Sequence, residues 1–217
     1  MYIGDAEAED LWDLRFIENY DKYNEYYEEI MNSDLSILRV YNSMYKSNYN
    51  KKINIKPRAN NNFYCDCIFH NAEDLPLRIL ESKKAFACYA CGISGTIVSL
   101  LSLYYGITLQ EAIKLLHAYI CGETEKLSKR ELIILKEIIQ YYNSPDIDEL
   151  FEESKRKTEY LNNRIERYIN ENNSKRSDAE KISKRLCCSK KYVKKFIPEN
   201  KKTKENDIMD MWRFFNE

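Results

Sequence analysis

Cys67-x2-His70 and Cys88-x2-Cys91 stand seventeen residues apart in a chain of 217. The chain has seven cysteines and two histidines, so four of its nine soft donors fall in two short pairs. Thiolates and imidazole are the donors that zinc takes, four at a time in a tetrahedron. Two donors with two residues between them can grip one ion from a tight turn, and a hairpin brings the second pair alongside. Gly92, directly after Cys91, supplies a flexible turn. Four side-chain donors close the shell, so the expectation is one structural Zn2+, not a water-activating one. Cys65 is an alternative to Cys67, although only Cys67 makes the two-residue spacing with His70. Cys121, Cys187 and Cys188 lack a partner at metal spacing and read as small apolar fillers. His117 falls on the face of a predicted helix and is assigned to surface or core.

The elements that must position these donors are mostly helical. Apolar spacing predicts a helix over 6–32 through Leu11, Leu14, Ile17 and Tyr20. A second helix is predicted in "MNSDLSILRVYNSMY", opened by Ser33 or Asp34. "KSNYNKKINIKPRANNN" reads as a loop with one short strand. "RIL" and "AFAC", on either side of Glu81-Ser82-Lys83-Lys84, read as a small hairpin. "SGTIVSLLSLYYG" is a helix that stops at Gly106, and Thr108 with Glu111 has capping-box spacing for the next. Helices follow over 128–142 and 147–171, broken by "NSPD". "ENNSKRSD" is a linker, and 178–197 is a compact helical motif. A last stripe through Ile208, Met211, Trp212 and Phe215 is expected to dock on the chain's own core. The expected fold is mostly α with a small β part, a zinc-ribbon-like hairpin flanked by helices. The expected regions are an acidic helical part (1–50), the metal-binding domain (51–122), a helical connector (123–173) and a basic segment (174–217).

Charge is unevenly spread. Residues 1–35 carry eleven acids against two bases, and residues 151–205 carry seventeen bases against nine acids. A basic rear half favours a polyanionic partner. The amino terminus has no signal-peptide pattern, and no apolar run approaches the roughly 18 residues of a membrane span. An intracellular, cytoplasmic protein with reduced thiols and no membrane partner is expected, and an odd cysteine count fits a disulfide framework poorly.

These residues together resemble the zinc-binding domain of bacterial-type DNA primases. The resemblance runs through Cys67-Ile68-Phe69-His70, Pro76 with "LRIL", and Phe86-Ala87-Cys88-Tyr89-Ala90-Cys91-Gly92. It continues through Ser94-Gly95 with "TIVSLLSLYYG" to Glu111-Ala112, covering about residues 63–120. Ile68 stands where that family has Pro, and Asn71-Ala72-Glu73-Asp74-Leu75 departs from its acidic and Lys-Thr stretch. The resemblance implies Cys67, His70, Cys88 and Cys91 as metal ligands. It also implies contact with single-stranded template DNA, with primer synthesis carried out by a separate domain. Such contact needs cations for phosphates and flat rings for bases. Arg78, Lys83, Lys84, Phe86 and Tyr89 are the candidates here, although Phe86 can equally belong to the core.

A polymerising site needs acids holding divalent metals on a sheet. The one Asp-x-Asp, Asp146-Ile147-Asp148, follows Ser144-Pro145 and reads as a helix start, so no catalytic residue is assigned. "SDAEKISKRLCCSKKYVKKFI" resembles a helix-turn-helix. Ile182, Leu186, Val193 and Phe196 or Ile197 would face inward, and Ser189 would cap the second helix. Lys190, Lys191, Lys194 and Lys195 would then face DNA phosphates.

The functional expectation is a DNA-binding, primase-like zinc protein without its own catalytic domain, preferring single strands. It would act in replication or primer initiation, of a mobile element, beside a separate primase catalytic chain or a replicative helicase. A zinc-containing transcriptional regulator on duplex DNA and a zinc-stabilised interaction adaptor are the alternatives.

Overall fold

The computed structural model describes residues 20–49, 53–70, 75–171, 178–186 and 188–197. The predicted terminal helix, the linker after residue 171 and the first part of the predicted 6–32 helix lie outside the described residues. The chain divides into two compact units, residues 1–155 and 156–217.

Among the described residues, the first unit opens with α1 (Tyr20–Asn32) and α2 (Ile37–Tyr49). The predicted opener of the second helix is displaced by one short turn. Ser33 instead closes α1, donating its hydroxyl to the Ile30 carbonyl at 2.7 Å. Ser36 opens α2 by accepting from the Arg39 N–H at 3.2 Å. Both serines suit helix ends, and spacing alone did not separate the two roles.

Five strands follow: β1 (Ile55–Arg58), β2 (Asn62–Cys65), β3 (Leu77–Leu80), β4 (Ala85–Cys88) and β5 (Ser94–Thr96). They form an antiparallel meander in the order β1-β2-β3-β4-β5. The predicted hairpin is thus the β3–β4 pair at the centre of a larger sheet. Alternation fixes which face is buried. Pro57, Phe63, Ile79 and Phe86 lie in one cross-strand row, and Cys65, Leu77 and Cys88 in the next. All seven are buried. Phe86 is 2% exposed, and cutting it back to Ala would cost about 3–5 kcal/mol.

Helices complete this core. Thr96 and Ser99 start α3 (Ile97–Tyr105): the Thr96 N–H donates to Ser99 Oγ at 2.7 Å. Only glycine fits beside this cap, because a Cβ on Gly95 would stand 2.0 Å from Ser99 Oγ. Gly106 ends α3 at φ +60°. Thr108 and Glu111 form the predicted capping box of α4 (Leu109–Cys121). Ser128 and Glu131 do the same for α5 (Lys129–Gln140). Helix α6 (Pro145–Glu171) opens with Asp146 and Asp148, which are engaged by Lys46 and Arg39. One continuous core joins residues from Ile30 to Ile147, with Leu150 and Phe151 packed on it.

The second unit has its own small core of Ile165, Ala179, Ile182, Leu186, Val193 and Ile197. Helices α7 (Ala179–Leu186) and α8 (Lys190–Val193) pack together. Ser189 caps α8 by accepting from the Tyr192 N–H at 3.1 Å, as its position in the sequence suggests. α8 is a single turn, continued only by tight turn bonds such as Phe196 N–H to the Val193 carbonyl.

Candidate metal centre

Cys67, His70, Cys88 and Cys91 meet at one end of the sheet, their donor atoms all within 4.8 Å of one another. Cys67 lies just beyond β2, and Cys88 ends β4, two strands away. The strand between them begins at Leu77, which pairs with both Cys65 and Cys88. The sheet therefore brings together two pairs that the chain separates.

The second pair forms a tight knuckle. The Gly92 N–H donates to the Cys88 carbonyl at 3.0 Å, the Cys88 N–H donates to the Ile93 carbonyl at 2.8 Å, and Gly92 takes φ +75°. At that φ a side chain would be strained. The first pair is held by Tyr41. Its hydroxyl donates to the Asp66 carbonyl at 2.8 Å and accepts from the Ile68 N–H at 2.7 Å, one residue on either side of Cys67.

The electrostatics suit a cation. Burial pushes the Cys67 thiol up to about 12, in spite of the Phe69 N–H, with Cys88 adding to the rise. Burial acts on Cys88 in the same sense but is outweighed. The N–H groups of Cys91 and Ala90 and the neighbouring thiols hold Cys88 below the ordinary cysteine value. Sulfurs this close share negative charge poorly, and a divalent cation removes that repulsion. Zinc–donor bonds of about 2.0–2.3 Å in a tetrahedron place donors about 3.3–3.8 Å apart. Cys88 Sγ stands 3.9 Å from His70 Nδ1, near that spacing. The other ring nitrogen, Nε2, is buried without a hydrogen-bond partner among the described residues. Donor set and spacing therefore fit a closed, structural zinc site. Cys65, by contrast, is fully buried on the inner face, where burial raises its thiol well above the ordinary value. It lies outside the four-donor group.

The residues expected to touch nucleic acid separate into distinct places. Tyr89 projects from the knuckle and is 53% exposed. Lys83 is exposed at the far end of the hairpin, on the order of 15 Å away along the strand. Lys84 and Phe86 require correction. Lys84 is buried, and its ammonium donates to the Met31 and Ser33 carbonyls at 2.8 and 2.6 Å, closing the end of α1. Phe86 lies in the core, stacked near Phe69 at 6.0 Å. Neither side chain is presented at the surface. Arg78 is half-buried on the outer face of the sheet, with Nη2 donating to Asn62 at 3.3 Å.

Arg78 has neighbours that sequence reasoning missed. The register places Lys56, Tyr64, Arg78 and Ala87 in one outer row, and Arg58, Asn62 and Leu80 in the next. The Arg58 guanidinium lies over the Tyr64 ring at 5.8 Å. The available signal was the alternation in "INIKPR" and "NFYC" around an Asn run. Asn60 and Asn61 take φ +62° and +50°, a conformation that Asn tolerates in tight turns.

In the second unit, Lys191 and Lys194 are exposed. Lys190 pairs with Glu180 at 3.3 Å, and Lys195 lies over Tyr192 at 5.6 Å. Among the described residues no helix is long and apolar enough to cross a membrane.

The four donors fall inside a match to a known family. Residues 39–131 match the CHC2 zinc finger family of DnaG-type primases. Among solved structures, the chain is similar to the Aquifex aeolicus primase comprising zinc-binding and RNA polymerase domains. The identity is 26% over 51% of this chain and 25% of that chain, with a TM-score of 0.36. No curated protein gives a significant match. Residues 39–131 of this chain match a zinc-binding domain of the DNA-primase type, and all four donors lie within the match.

Proposed function

We propose that this chain is a nucleic-acid-binding protein of DNA replication or primer initiation, whose binding surface is shaped by one structural zinc. Cys67, His70, Cys88 and Cys91 hold the ion, and its work is architectural because no fifth donor or open position is required. The observation that carries this reading is the four-donor group set at the end of a sheet with a cationic, aromatic outer face. Lys56, Arg58 and Arg78 offer charge to phosphates, and Tyr64 and the exposed Tyr89 offer rings to bases. Such a surface follows a single strand, whose bases are free to stack. Lys83, at the other end of the hairpin, extends the charge. Primer synthesis belongs to a separate catalytic chain on this reading, and a replicative helicase or mobile-element replisome is the setting it suits.

The second unit adds Lys191 and Lys194, beside Lys190 and Lys195, on a helix-turn-helix-like pair. Its one-turn α8 is too short to lie along a major groove, so phosphate contact is the role assigned to it. Fluorescence anisotropy on matched single- and double-stranded oligonucleotides at two salt concentrations tests the proposal. Tighter single-strand binding that weakens in a Tyr64→Ala, Arg78→Ala chain is the expected result. Tighter duplex binding, lost instead in Lys191→Ala, Lys194→Ala, would replace it with the regulator reading. No salt-dependent binding of either would leave the adaptor reading.

A further inference from the structure

Helix α1 packs against α4, and at the end of α4 three side chains aim their donor atoms at one spot. His117 and Cys121 are four residues apart on α4 and so share a face. Glu29 reaches them from the last turn of α1. His117 Nε2 stands 2.8 Å from Glu29 Oε2 and 3.4 Å from Cys121 Sγ. All three donor atoms lie within 4.8 Å of one another. The ring is held by Tyr26, stacked on it at 3.7 Å with 14° between the planes. Cys121 is exposed and not the apolar filler expected from its sequence context.

An ion pair alone explains Glu29 and His117 but leaves a thiol on the same nitrogen. A nucleophilic cysteine relay requires thiol and acid on opposite ring nitrogens, so that the acid orients the ring while the other nitrogen takes the proton. Here both stand on Nε2, and a single N–H serves only one of them. A cation satisfies all three donors together. The 3.4 Å separation already matches zinc-type spacing, and the half-exposed Glu29 carboxylate can open its 2.8 Å contact by rotating. Lys126 is paired with Glu123 at 2.5 Å. We infer that Glu29, His117 and Cys121 form a second binding site, for a zinc-class divalent cation, with its fourth position open to solvent. Three donors, two of them on exposed residues, make this site weaker and more exchangeable than the knuckle, and an ion there would clamp α1 to α4.

Cobalt, a stand-in for zinc that absorbs visible light, tests the inference on the full chain. The protein is loaded with zinc, dialysed until only the tightly held equivalent remains, and titrated with Co2+. A second equivalent is expected, with a thiolate-to-cobalt charge-transfer band. Cys121→Ser, at an exposed position, should abolish that band and weaken the second equivalent by about tenfold or more. His117→Ala should remove the second equivalent, and both variants should keep the zinc of the first. Absence of a second equivalent, binding without the thiolate band, or a band unchanged in Cys121→Ser would each overturn the assignment.

Discussion

The β3–β4 hairpin ends in two tight turns, each holding charge or donors against a neighbouring segment. At the Cys88–Gly92 end the backbone curls so that its N–H groups point at sulfur, and the turn gathers ligands. At the Glu81–Lys84 end a short 3-10 turn enters the corner between α1 and α2. There Glu81 accepts from the Leu38 N–H at 3.2 Å, at the start of α2, while Lys84 closes the end of α1. One side chain of each sign is thus matched to the helix end of opposite partial charge. In sequence, "ESKK" reads as a hairpin turn whose two lysines face nucleic acid. In the fold it is a two-pronged helix clamp, and only Lys83 remains free to face a ligand. Charge in a turn takes its meaning from what the turn lies against.

Four experiments break or sharpen that contrast. The largest effect belongs to the knuckle. Chelation of metal, or Cys88→Ser with Cys91→Ser, is expected to unfold the sheet end, since structural zinc contributes on the order of 10 kcal/mol in small metal-bound folds. Loss of dispersed amide NMR signals for residues 63–96 would record it, and an unchanged spectrum would remove the metal from the account.

Next is the clamp. Lys84→Met leaves two helix-end carbonyls without their donor and should cost about 2–3 kcal/mol, whereas Lys83→Met should stay within about 0.5 kcal/mol. Urea unfolding of the two variants decides the matter. Equal costs would mean that the two lysines are equivalent after all.

A smaller effect is expected on the outer face of the sheet. Arg78→Ala should weaken single-strand binding by about 1–2 kcal/mol and lower the salt slope by about one, more than Lys83→Ala does. The reverse order would move the binding surface to the opposite end of the hairpin.

The smallest effect is a pH dependence. Partial burial raises the Glu81 carboxyl above the usual value, outweighing the Ser36 hydroxyl, the Leu38 and Ile37 N–H groups and Lys84. The folded state therefore holds its proton more tightly than the unfolded chain does. That contribution is complete below the ordinary glutamate value of about 4.3 and is lost as pH rises through the folded value. Glu81→Gln has no such proton, so wild type should lose stability relative to the variant over that rise. A gap that stays flat in paired thermal melts, or moves the other way, would refute the assignment.

What was legible in the sequence was local. The two donor pairs, the Thr108 and Ser128 helix starts, the Gly106 stop and the Ser189 cap all depend on contacts within about four residues, and all are found where spacing places them. What was not legible was pairing across distance. Lys56, Arg58, Tyr64 and Arg78 share a face only because three strands align in register. Lys84 is buried only because α1 ends beside it, 51 to 53 residues earlier in the chain. The Glu29–His117–Cys121 group likewise joins positions 88 residues apart. A long cationic side chain reads as solvent-exposed until the fold supplies its partner.

Tyr41 carries a consequence for how fast the knuckle exchanges its ion. A single phenol spans the chain on either side of Cys67, so the loop bearing the first two donors is tethered to α2 independently of the ion. A donor loop kept in place is ready to recapture, which slows escape and speeds return. Removing that one oxygen, in Tyr41→Phe, should therefore raise the rate at which a competing chelator strips the protein while leaving every donor intact.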